Sequence, residues 1–202
     1  GYSGVLYYKQ GTPDGVWTQN TNFGTSTLRD IVYVNDYWVI AAVTSGIYYK
    51  QGSPDGSWTN NAIGNIYSVT YANDYWVAAG NNGTVLYKQS TSPDGTWTPN
   101  NQGTNTFFTI VYGNGYWVAA GYSGNVYYKQ GTPDGTWTQN TSLGYAYSIV
   151  HVVYANGFWA FTLQGYSQSI YYKALTPDGT WTQNSSNSSS WVFNQIYYLE
   201  GY

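Results

Sequence analysis

Ionisable side chains are few in this chain, and most recur on a fixed pitch. Five aspartates, Asp14, Asp55, Asp94, Asp134 and Asp178, sit inside the string Pro-Asp-Gly-x-Trp-Thr. Five lysines, Lys9, Lys50, Lys88, Lys129 and Lys173, each precede the proline of that string by four or five residues. A carboxylate can hold a metal or move a proton, and an ammonium can hold an acidic ligand. A group present once in every unit, however, serves what all units share, which is their backbone. Asp between Pro and Gly accepts hydrogen bonds within its own turn, so these aspartates read as turn formers. The lysines read as partners of those aspartates, or as cations lying on a tyrosine of the next unit.

The groups outside this pattern cannot assemble a familiar active site. Arg29 is the only Arg, His151 the only His, Glu200 the only Glu, and there is no Cys. Thiolate metal sites, disulfides and multi-His metal clusters are therefore excluded by inventory. His151 reads as a packed strand residue. Of the acidic residues outside the strings, Asp36, Asp74 and Glu200 fall in turns and only Asp30 lies on a strand, so no carboxylate pair suggests itself for glycoside hydrolysis. No catalytic residue, metal or cofactor is assigned.

The elements that carry these residues come from the repeat itself. The five strings begin at Pro13, Pro54, Pro93, Pro133 and Pro177, at intervals of 41, 39, 40 and 44 residues. A constant period of this size marks a propeller or a solenoid. One unit, residues 107–140, holds four β-prone runs (TIVY, YWVAAG, NVYYKQ, TWTQN) separated by Asn-Gly, Tyr-Ser-Gly and Thr-Pro-Asp-Gly turns. The expected fold is all-β: a five-bladed β-propeller of four-stranded antiparallel blades, within a single domain over 1–202. Complete blades are expected at 27–61, 65–100, 106–140 and 147–184. Residues 1–20 supply two strands of a fifth blade and 190–202 its innermost strand, so that the N- and C-terminal segments share one blade and close the ring. The residues needed for one strand of that blade are missing between Tyr202 and Gly1, which suggests a trimmed chain or a piece of a longer array.

The succession I-x-Y-x-N-G-x-W-V-A-A-G, a Gly turn, a Tyr-Tyr-Lys strand and S/T-P-D-G-x-W-T resembles the Asp-box repeats of the sialidase-like and photosystem-assembly-factor-like propeller superfamily. The resemblance recurs in every unit, with one departure: Asp and Gly are adjacent, as in Asp55-Gly56, where the family's usual form separates them. It implies a propeller whose Asp boxes lie away from the binding face. Its hydrolase members need an arginine cluster and a tyrosine nucleophile beside a carboxylate, and the single Arg29 and single Glu200 do not supply them.

What remains is recognition. Charged residues are 7% of the chain, aromatics 20%, and the net charge is -3, which gives no electrostatic footprint for nucleic acid or an anionic membrane. No apolar run reaches the roughly 20 residues of a membrane span. The copies differ most in the loops that follow the outer strand and those joining the second and third strands, the usual seat of recognition on a rigid scaffold. Tyr2, Phe23, Tyr122, Tyr145 and Tyr166 are expected to offer stacking rings there, and Asn20, Asn61, Asn100, Asn140 and Asn184, which end the outer strands, to offer amides. The expected function is lectin-like binding of a glycan or glycosylated surface at several shallow sites, acting by avidity, in a secreted, cell-surface or virion setting. The alternative is a structural or protein-interaction propeller that self-associates or continues as a longer array.

Overall fold

The computed structural model describes residues 1–143, 147–164, 170–184 and Ile196. Strands and tight turns account for nearly all of it. The first sheet pairs β1 (Leu6–Tyr8) with β2 (Thr18–Asn20). The second contains β3 (Thr27–Val34), β4 (Tyr37–Val43), β5 (Gly46–Gln51) and β6 (Thr59–Asn61). Next come β7 (Ile66–Ala72), β8 (Tyr75–Gly80), β9 (Val85–Gln89) and β10 (Thr98–Pro99), then β11 (Phe107–Gly113), β12 (Tyr116–Gly121), β13 (Val126–Gln130) and β14 (Thr138–Asn140). The last sheet holds β15 (Ile149–Ala155), β16 (Phe158–Leu163), β17 (Ile170–Ala174) and β18 (Thr182–Asn184). Every sheet is an antiparallel meander in chain order. The chain is a five-bladed β-propeller, with β3, β7, β11 and β15 innermost. The segment expected to complete the fifth blade, 190–202, lies outside the described residues apart from Ile196.

Local chemistry explains each turn. The hairpins from first to second strand place Asn35 and Asp36 at φ 52° and 64°, Asn73 and Asp74 at 49° and 63°, and Asn114 and Gly115 at 47° and 80°. Two successive positive φ values define the turn whose twist matches that of the strands, and Asn, Asp and Gly tolerate them best. In two of the boxes the Thr two residues earlier donates its hydroxyl to the aspartate, Thr132 to Asp134 and Thr176 to Asp178, while in a third the Ser92 hydroxyl accepts the Asp94 N–H. The Asp14 carboxyl is held below its usual range chiefly by the Thr12 hydroxyl, and then by its own backbone N–H. The box tryptophan closes the loop, with Trp97 and Trp137 donating to the Pro93 and Pro133 carbonyls at 3.0 and 2.9 Å.

The core lies between blades rather than within them. Trp76 of one blade packs with Val39, Ala41 and Ile47 of the preceding one, and Trp159 with Val118, Ala120 and Val126. Small side chains in the second strands, such as Ala78, Ala79, Ala119 and Ala120, are fully buried where sheets converge, and the large rings fill the wider gaps.

Candidate functional site

The asparagines that end the outer strands are inter-blade ties. Asn20 donates its amide to the Pro54 and Gly56 carbonyls of the next box at 3.2 and 2.9 Å, and Asn100 to Pro133 and Gly135 at 2.9 and 2.7 Å. Asn140 donates to Pro177 and Gly179 at 2.8 and 2.9 Å, and Asn61 to Pro93 at 3.2 Å. Asn20 and Asn140 are buried. The expectation that these amides face a ligand is corrected for these four: the next blade's box lies within reach, and its carbonyls take the N–H groups. Asn184 ends β18 opposite Ile170.

Phe23 is also corrected. It is fully buried, edge-on to Tyr48 and Trp58 with centroids 5.1 and 5.2 Å away, and therefore belongs to the core. Tyr2 and Tyr122 lie in short 3-10 turns (Tyr2–Gly4 and Tyr122–Gly124) and are 78% and 55% exposed. Tyr145 and Tyr166 lie outside the described residues.

A site that sequence reasoning missed opens on the propeller axis. A cavity of about 630 Å³ is lined by the first halves of the four inner strands and by the N-terminal segment, including Tyr7. This is within the usual size range of ligand pockets. Each of the four described inner strands carries a β-bulge at the same point, with register shifts between Leu28 and Asp30, Ile66 and Ser68, Phe107 and Thr109, and Ile149 and His151. A bulge sets two residues against one on the partner strand and re-aims side chains, which is why bulges favour functional rims. The bulged residues are Arg29, Tyr67, Phe108 and Val150, and those after them are Asp30, Ser68, Thr109 and His151.

Around the cavity these residues make two chains of contact. The Arg29 guanidinium lies over the Tyr67 ring, 5.6 Å from its centroid, and Tyr67 meets Phe108 edge-to-face at 5.3 Å. The second chain is a belt of hydrogen bonds between blades. Asp30 accepts the Ser68 hydroxyl at 2.8 Å and the Val69 N–H at 2.9 Å through one oxygen, and the Ile31 N–H at 2.9 Å through the other. Ser68 in turn accepts the Ile110 N–H at 3.3 Å, and His151 Nδ1 accepts the Ile196 N–H at 3.4 Å. Burial pushes the His151 pKa down, and the charge of Asp30 opposes that shift. At the mouth the Gly1 amine donates to the Leu28 carbonyl at 2.9 Å, its pKa lowered by burial and then by Arg29.

The signal was present in the sequence as a column rather than a motif. The only Arg, the only His and the only strand-borne Asp outside the boxes all fall on two adjacent repeat positions. Neighbouring positions stay constant: Val or Ile follows the pair in all four blades, and Tyr comes two residues later still. Among the described residues no group of three or more His, Cys, Asp or Glu is placed to hold a metal ion.

No protein-family model matches the chain, and no curated protein sequence matches it. Solved structures do resemble it. A computationally designed protein, Ika8, superposes with a TM-score of 0.68 at 10% identity, over 97% of this chain and 64% of that one. YCF48 bound to D1 peptide gives 0.62 at 14% identity, over 90% and 60%. The WD40 β-propeller domain of Doa1 gives 0.52 at 11%, over 74% and 52%. At these identities the likeness establishes the fold alone. The chain spans 52–64% of the length of these structures.

Proposed function

We propose that the chain is a non-enzymatic recognition propeller, secreted or surface-displayed, that binds a glycan at the mouth of its central channel. One observation carries this reading: the chain's rare side chains converge on a single column of the repeat, around a cavity of about 630 Å³ with Tyr67 and Phe108 on its wall. Sugar rings lay their apolar faces on aromatics, while hydroxyls pair with polar side chains such as those of the belt. Because the column differs in every blade, the site is single. Binding therefore rests on one set of contacts and not on five shallow copies.

The groups with acid–base potential are engaged structurally. One Asp30 oxygen accepts two donors from β7 and the other the N–H of Ile31 on its own strand, and His151 Nδ1 accepts a backbone N–H, so neither resembles a base poised at a substrate. A glycan array followed by calorimetry tests the reading. One ligand per chain is expected, with affinity lost in Tyr67→Ala and Phe108→Ala; binding indifferent to both substitutions would sink it. A second reading, capture of a peptide segment at the same mouth, draws support from YCF48, a similar fold seen with a peptide. Peptide-library enrichment that depends on Tyr67, with a blank glycan array, would put that reading first.

A further inference from the structure

We propose that the channel site grips a sulfate or phosphate ester on its ligand through Arg29. The proposal deepens the recognition reading above and rests on it for the sugar that carries the ester. Arg29 is exposed, lines the cavity and is the bulged residue of β3. Its guanidinium carbon lies over the Tyr67 ring, 5.6 Å from the centroid. A cation–π contact supplies no acceptor oxygen, so the N–H fork keeps its capacity for a two-pronged bond to an oxyanion.

The natural counter-ion is otherwise engaged. Asp30 follows Arg29 in the chain, yet its carboxylate is held by the Ile31 and Val69 N–H groups and the Ser68 hydroxyl at 2.8–2.9 Å, none of them from Arg29. The belt thus fixes the one acidic group of the channel wall among the described residues, and the guanidinium is left to an incoming anion. Partial shelter in a cavity strengthens such a bond over its value in open water. A guanidinium on an aromatic shelf is weakly hydrated and pairs best with an anion whose charge is spread over several oxygens. Sulfate and phosphate esters present tetrahedral sets of oxygens that such a fork can bridge.

The single arginine makes the test unambiguous, because the protein has one Arg Nε–H signal. Methyl sulfate, dimethyl phosphate and acetate are titrated separately into the ¹⁵N-labelled full chain. A saturable shift of that signal is expected, tighter for one of the two esters than for acetate by at least about threefold, and the ester arms identify which group is preferred. On an array, sulfated or phosphorylated glycans should exceed their plain parents by about tenfold, a preference lost in Arg29→Gln and weakened in Arg29→Lys, which keeps the charge without the fork. No saturable shift, acetate binding as tightly as the esters, or a preference surviving in Arg29→Gln overturns the proposal. Tyr67-dependent binding of plain glycans that is unchanged in Arg29→Gln would remove the ester grip and leave the recognition reading intact. Saturation by an ester with a blank glycan array would keep the anion site and remove the sugar reading.

Discussion

Asp30 shows how one side chain can organise a shared wall. Its two oxygens gather three donors from β3 and β7, and bonds to a charged acceptor are the stronger kind. Asp30→Asn leaves one acceptor oxygen for three donors and sets an NH2 against at least one N–H, so we expect a loss of about 1–3 kcal/mol in urea unfolding. Asp36→Asn, in an exposed hairpin turn that accepts either residue, should stay within about 0.5 kcal/mol. His151 predicts a pH dependence of definite sign. Burial lowers its folded pKa against the partial opposition of Asp30, whereas the unfolded chain takes up a proton near pH 6.5. As pH falls below about 6.5 the unfolded state binds more protons, and the stability present above that value is lost progressively. Protonation of Nδ1 also removes the acceptor for Ile196 N–H. Melting temperature should drop from pH 7.5 to 5, and less so in His151→Gln; a flat wild-type profile would refute the assignment.

At the scale of strands and turns, stability depends on close backbone approach at the bulge and on ties between blades. A Cβ on Gly121 would stand 2.0 Å from the Thr106 carbonyl oxygen and 2.7 Å from Phe107 Cα, both backbone atoms beside the β11 bulge. Gly121→Ala must push β11 from β12, and we expect a loss exceeding about 2 kcal/mol by chemical denaturation. Gly115→Ala meets nothing within 4 Å, and its cost comes only from φ +80°, about 1 kcal/mol. Reversal of that order would show that the inner sheet has more give than its packing implies. Asn100→Ala severs two bonds to the neighbouring box and should cost about 1–2 kcal/mol, while Asn60→Ala, exposed on β6, should be nearly silent.

For the molecule as a whole, the unit of stability is the interface between blades. The cluster around Trp159 combines Val118, Ala120 and Val126 of one blade with Ile149, Phe161 and Leu163 of the next. A single blade exposes both faces and buries neither. A peptide spanning 107–140 should therefore show no cooperative melt by circular dichroism, whereas the full chain should unfold in a sharp transition. A folded isolated blade would contradict the inter-blade account.

Much of this was legible in the sequence, because turns and strand periods are local. Asn-Asp, Asn-Gly and Pro-Asp-Gly fix the backbone within a few residues, so blade number and strand order followed from spacing. The long-range partners were not legible. Nothing within the outer-strand Thr-x-Asn runs says that the amide will meet the next blade's box, some 32–39 residues away, and Phe23 reads as a loop ring until Tyr48 and Trp58 close over it. The channel is the clearest case. Arg29, Tyr67, Phe108 and His151 lie far apart in the chain and become neighbours only because blades arranged around an axis bring equivalent positions together. The repeat determined the scaffold; only the packing of blade against blade around the axis decided where its few unrepeated side chains would meet.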